Sequence, residues 1–166
     1  MDNRFELFHR HDYFMMDSVQ ELGQVMEKAM RTYSSALDRL RTVGLRPTRQ
    51  RLALAKMLFE AGHRHVTAEE LHKEARDAGV RVSLATVYNT LHQLTGAGLL
   101  REVVVDSGRS YFDTNNDEHH HFFHEETGRL QDIPATGISV ANLPAPPPGT
   151  EVSRVEVIVR VADKRS

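Results

Sequence analysis

Three segments run one after another, each opened by a hydroxyl residue and closed by glycine, and a hairpin pattern follows at once. Thr48 precedes Leu52, Ala55, Leu58 and Phe59, and that stretch stops at Gly62. Thr67 with Glu70 forms a capping box, in which each side chain satisfies a backbone N–H left open at a helix start. The helix it opens runs through Leu71 and Ala75 to Gly79. Ser83 opens the third, whose Leu84, Val87, Leu91 and Leu94 make one apolar stripe before Gly96 and Gly98. Residues 101–105, the turn Asp106-Ser107-Gly108-Arg109 and residues 110–113 then read as two paired strands. A long first helix precedes all this, from Asp17 or Ser18 to Leu40, with Val19, Leu22, Val25, Met26, Met30 and Leu37 near helical spacing and Gly44 as its stop. Helices followed by a hairpin in this order predict a winged helix-turn-helix.

The winged helix raises the question of what its polar surfaces meet. Opposite the apolar stripe of the Ser83 helix lie Ala85, Thr86, Asn89, His92 and Gln93, with Tyr88 on the flank. These side chains are short or hydrogen-bonding, which suits base edges in a major groove. Arg39, Arg41, Arg46, Arg49, Arg51 and Lys56 form a basic run with no acid between Asp38 and Glu60. A one-signed surface of this kind attracts phosphates through counterion release. Alone it fits a solvated helical face equally well, and winged helices also serve as protein-protein modules. Together the two features favour DNA, with Arg46, Arg49, Arg51, Ser83, Ala85, Thr86, Tyr88 and Asn89 as the candidate contacts. The formal net charge of -2 means that any such affinity is local.

The second half differs in kind. Residues 114–118 are polar and read as a hinge. A hairpin follows, with strands near residues 119–124 and 129–133 about Glu126-Thr127-Gly128. Ile138 and Val140 suggest a short strand, a Pro-rich run spans residues 143–149, and Val155, Val157, Val159 and Val161 alternate strictly, with Arg154, Glu156, Ile158 and Arg160 between them. The expected fold class is therefore α+β: an arm at 1–17, a winged-helix DNA-binding domain at 18–113, the hinge, and a small, mainly β domain at 119–166. About fifty residues make a marginal domain, so dimerisation through this sheet is expected.

The first of these β segments reads His119-His120-His121-Phe122-Phe123-His124 in a chain without cysteine. Imidazole and carboxylate ligands without thiolate suit iron, manganese, zinc or haem. On a strand His119 and His121 share one face and His120 takes the other. Asp132 on the returning strand, Asp113 before the hinge and His65, in the Gly62-His63-Arg64-His65 loop before the Thr67 helix, can converge with them on one ion. Two histidines and a carboxylate are also the ligand set of non-haem iron oxygenases, but the small second domain leaves little room for a substrate pocket. The chain reads as a regulator and not an enzyme. Lack of a signal peptide or an apolar span among its 166 residues predicts a cytoplasmic protein.

Taken together, these segments resemble the ferric uptake regulator family of transcription factors over roughly residues 33–162. The resemblance rests on Gly44-Leu45-Arg46-Pro47-Thr48-Arg49-Gln50-Arg51, on His65-Val66-Thr67-Ala68-Glu69-Glu70-Leu71, and on Ser83-Leu84-Ala85-Thr86-Val87-Tyr88-Asn89-Thr90-Leu91. It continues through Tyr111-Phe112-Asp113 and the histidine strand into Gly128-Arg129-Leu130-Gln131-Asp132. The histidine triplet followed by two phenylalanines resembles the iron response regulator subgroup. The resemblance implies a homodimer on palindromic operators, with His65, Asp113, His119, His121 and Asp132 as a regulatory site for Fe, Mn or Zn. It implies groove reading by Tyr88 and its helix, and approach of Arg46 to the minor groove. For the subgroup it implies operators of iron and haem metabolism genes, bound when iron is scarce and released by haem. A divalent-metal co-repressor or a peroxide sensor of the same family is the alternative. Positions where many members carry zinc-binding cysteines hold His124 and Thr127 here, so no structural zinc is expected. Without cysteine, haem ligation falls to nitrogen, from His119, His120, His121 or His124, with His9 and His11 as lesser candidates.

Overall fold

A computed structural model describes residues 19–106 and 108–164. The expected arm at 1–17, with His9 and His11, lies outside the described residues. The chain clusters into two units, one of residues up to 103 with 110–115, the other of 104–109 with residues from 116 onward.

The first unit holds α1 (Val19–Thr42), α2 (Arg49–Glu60), β1 (His65–Val66), α3 (Ala68–Asp77) and α4 (Leu84–Gly96). The strands β2 (Arg101–Asp106) and β3 (Arg109–Asp113) follow, and the sheet order is β1-β3-β2. The caps form as the local sequence dictates. Thr48 accepts from the Arg51 N–H, Ser83 accepts from the Thr86 N–H, and the Thr67–Glu70 box is complete in both directions. At the far end of α4, Gly98 takes a φ of 74°, and the N–H groups of Gly98 and Leu99 return to the carbonyls of Thr95 and Leu94. That left-handed closure suits glycine because a Cβ is strained there. The apolar stripes meet in one core, with Leu40, Leu54, Leu58, Val66, Leu71, Val87, Leu91, Leu94 and Phe112 all buried.

Two expectations change in this unit. His65, read as part of a loop, lies in β1, a two-residue strand pairing with β3 in the register His65–Asp113 and Val66–Phe112. Two residues carry no period, so only the pairing reveals the strand. The expected apolar stripe of α1 is buried chiefly at Ala36 and Leu40, and Val25, Met30 and Tyr33 are exposed, Met30 at 71%.

The second unit is built on β4 (His119–His124), β5 (Arg129–Pro134) and β6 (Ile158–Val161), in the order β5-β4-β6. The β4–β5 hairpin is antiparallel, and β6 joins β4 in parallel, aligning Ile158 with His121 and Arg160 with Phe123. Gly128, at a φ of 66°, turns the hairpin and donates its N–H to the His124 carbonyl. The strand expected at Ile138 and Val140 does not form; a 3-10 turn, Ala135–Gly137, stands before a run that joins no sheet. The alternating valines become strand only from Ile158, because pairing with β4 begins there. Among the described residues no helix is long and apolar enough to cross a membrane.

Candidate metal centre and nucleic-acid face

The winged-helix unit brings two of the expected ligands together. Asp113 closes β3 directly opposite His65 on β1, and its Oδ2 stands 3.6 Å from His65 Nε2. Asp113 is fully buried, and its other oxygen accepts the Asn115 N–H at 2.7 Å, which fixes the carboxylate plane. The loop entering β1 is pinned on both sides. Arg64 grips Glu74 of α3 in a two-pronged ion pair, and its backbone exchanges hydrogen bonds with Thr114.

The β unit gathers the other three. Alternation along β4 buries His119 and His121 on one face and leaves His120 and His124 partly exposed on the other. The hairpin register sets Asp132 beside His121. His119 Nδ1 lies 2.7 Å from the Asp117 carbonyl, an oxygen that only accepts, so Nδ1 carries the proton. The lone pair is thereby placed on Nε2, 3.0 Å from His121 Nε2 and 3.7 Å from Asp132 Oδ1. Ligand atoms that share an ion at about 2.0–2.2 Å stand about 3–3.5 Å from one another. Borderline nitrogen donors and a hard oxygen at this spacing fit a first-row divalent ion.

One residue of this cluster escaped the sequence reading. Glu156 Oε1 lies 3.6 Å from His121 Nδ1, on the ring edge away from Nε2. A carboxylate there favours a proton on Nδ1 and leaves Nε2 available as a ligand, the usual outer partner of a metal-binding imidazole. Its only sequence signal was its place between the alternating valines. The parallel pairing of β6 with β4 is what carries it to the histidine face.

On the winged helix, Ser83, Ala85, Tyr88 and Asn89 are exposed along α4 and Thr86 is half-buried. Arg46 and Arg49 are exposed at the start of α2. Arg51 differs, because its guanidinium donates to the Arg46 carbonyl and to Gln93 Oε1 of α4. It ties α2 to α4 and is committed inside the protein. Tyr88 donates its hydroxyl to Glu69 Oε1 of α3 at 2.6 Å, placing an acid beside the presented face.

A winged helix with an exposed polar helix face, in one chain with a β sheet bearing imidazole and carboxylate ligands, defines a class of two-unit winged-helix proteins. The chain belongs to the ferric uptake regulator family, whose pattern it matches over residues 42–153. It is 38% identical over 74 residues to the ferric uptake regulation protein of Escherichia coli strain K12, covering 45% of this chain and 50% of that one. The chain thus spans about half the length of the relatives it matches by sequence. The solved structure of the ferric uptake regulator from Pseudomonas aeruginosa with manganese superimposes with a TM-score of 0.60 at 30% identity, covering 77% of this chain and 97% of that one. A zinc-bound manganese uptake regulator shares the fold, with a TM-score of 0.58 at 20% identity over 78% of this chain and 98% of that one.

Proposed function

We propose that this protein is a metal-responsive DNA-binding transcriptional regulator that acts as a homodimer on palindromic operators. The observation that carries the reading is the face shared by His119, His121 and Asp132, where a backbone carbonyl holds the His119 lone pair toward the other two ligands. Three ligands leave a divalent ion short of a full shell, and the pair of half-buried His65 and buried Asp113 is two ligands with the same chemistry. The five residues His65, Asp113, His119, His121 and Asp132 would form one shell of three imidazoles and two carboxylates for Fe, Mn or Zn. The ion supplies positive charge that offsets both carboxylates. Ligands drawn from the DNA-binding part (18–113) and the sensing part (119–166) across the hinge (114–118) would make occupancy bias their arrangement, as a switch requires. No cysteine-held structural zinc is part of this reading.

Arg46 and Arg49 would contact phosphate, while Ser83, Ala85, Thr86, Tyr88 and Asn89 would face the major groove. Arg51 would serve by holding Arg46 and Gln93 in place. The second face of the β sheet, with Phe122, Val159 and Val161 only partly buried, would form the dimer contact.

The finer reading is an iron response regulator, bound to operators of iron and haem metabolism genes when iron is scarce and released by haem. The triplet with two phenylalanines favours it, and so does the sidedness of β4: His120 and His124 lie on the face away from His119 and His121. His120 Nδ1 accepts the Val157 N–H at 3.3 Å, which puts its proton on Nε2. Ligation by His120 would therefore cost that contact or a proton. His124 would be the less encumbered ligand on this face, and His119 and His121 remain candidates from the other.

The deciding experiment is DNA-binding anisotropy of metal-stripped protein on an operator selected from random sequence, titrated separately with Mn²⁺ and with haem. Binding that appears with Mn²⁺ supports the metal switch, and binding lost on adding haem supports the finer reading. Binding indifferent to both overturns the regulatory proposal.

A further inference from the structure

We propose that Glu69 is a positioning residue for base readout, setting the hydrogen-bonding sense in which Tyr88 meets DNA. The inference rests on the DNA-binding reading above. Tyr88 is 36% exposed on the outward side of α4, and two neighbours restrain it. Glu69, exposed in the first turn of α3, accepts its hydroxyl proton at 2.6 Å. His92, one turn along α4, stacks on its ring with centroids 6.3 Å apart and planes 22° from parallel. His92 is itself braced edge-on by the buried Phe112, 5.6 Å away, and lies 3.8 Å from Glu102. An exposed ring held at both its hydroxyl and its face is a preorganised contact.

The bond to Glu69 has a chemical consequence. A phenol has one proton to donate, and this one is given to a carboxylate, the stronger, charge-assisted kind of partner. Toward a groove the oxygen then offers lone pairs alone. In the major groove the adenine and cytosine amino groups are donors and match it, whereas guanine O6 and N7 and thymine O4 are acceptors and meet it unfavourably. The carboxylate also repels phosphate, which lowers affinity for DNA of any sequence. Glu69 thus acts through Tyr88 and needs no contact with a base.

The test is selection from random DNA followed by anisotropy at several salt concentrations, using the full chain and the variants Glu69→Ala, Tyr88→Phe and the pair together. Glu69→Ala should admit guanine or thymine at the position Tyr88 faces, losing about fivefold in discrimination there, and should bind non-selected DNA more tightly. Tyr88→Phe should lose comparable discrimination, and adding Glu69→Ala to it should shift no base preference further. An unchanged preference profile for Glu69→Ala overturns the inference, as does a shift that persists in the Tyr88→Phe background. A purely structural tie between α3 and α4 would move the unfolding temperature and leave the profile alone. Wild-type protein that selects no sequence overturns the DNA-binding reading itself, and this inference with it, so the two failures are told apart.

Discussion

Single residues carry the candidate site by how their protons are placed. Asp117 contributes a backbone carbonyl that sets the His119 tautomer, and Glu156 stands behind His121. Outer partners of metal-bound histidines typically contribute tenfold or more to affinity. Glu156→Gln should therefore weaken Mn²⁺ binding about tenfold by calorimetry, with the circular dichroism spectrum unchanged; wild-type affinity would remove Glu156 from the site. Tyr88 offers a second residue-level check. The Glu69 carboxylate, by accepting its hydrogen bond, holds the phenol above its ordinary pKa, and burial and the Glu69 charge push the same way. A raised folded pKa means that the stabilisation is fully present below the unfolded value of about 10 and is lost as pH climbs through the folded one. Wild-type stability should accordingly fall more steeply than that of Glu69→Ala above about pH 10, read by denaturant midpoints. Parallel curves would mean that the bond adds no stability. His65, Asp113, His119, His121 and Asp132 were recognisable by ligand type. Glu156 and the acid at Tyr88 were not, because each acts through an atom brought near by another element.

At the scale of elements, what was legible is what is local. A capping box needs four residues, and Thr67 and Glu70 form both of its bonds, at 3.2 and 2.8 Å. Thr67→Ala should cost about 1 kcal/mol in chemical denaturation; a loss within error would show that tertiary packing alone holds the start of α3. The same locality made the glycine stops and the β4–β5 turn readable. Strands without a strong period were not. β1 exists because β3 lies beside it, and the segment at Ile138 and Val140 stays out of a sheet despite its apolar residues. In α1 the helical period was read correctly as helix, yet the exposed Val25, Met30 and Tyr33 show that an apolar stripe does not name its own partner.

For the whole molecule, the proposed function predicts linkage between folding, assembly and ligand. An ion bound only by the folded chain should raise stability by about 2.7 kcal/mol at a hundred times its dissociation constant. Adding a chelator should take that increment away in thermal unfolding followed with and without Mn²⁺, and an unmoved midpoint would count against a metal site in the folded protein. Val159→Arg, a charge on the half-buried second face of the β sheet, should convert a dimer to a monomer in sedimentation. A dimer that persists would place the contact elsewhere. The linear chain by itself determined the helices, their caps and stops, the winged-helix order and the alternation that puts His119 and His121 on one face, since these follow from periods and hydrogen bonds within a few residues. Only the tertiary structure decided that β6 runs parallel to β4 and carries Glu156 to His121, that Asp113 lies opposite His65, that Arg51 is committed to Gln93, and that Tyr88 is held by Glu69. Each joins residues far apart in sequence, and the free energy that joins them comes from packing and pairing that no local pattern encodes.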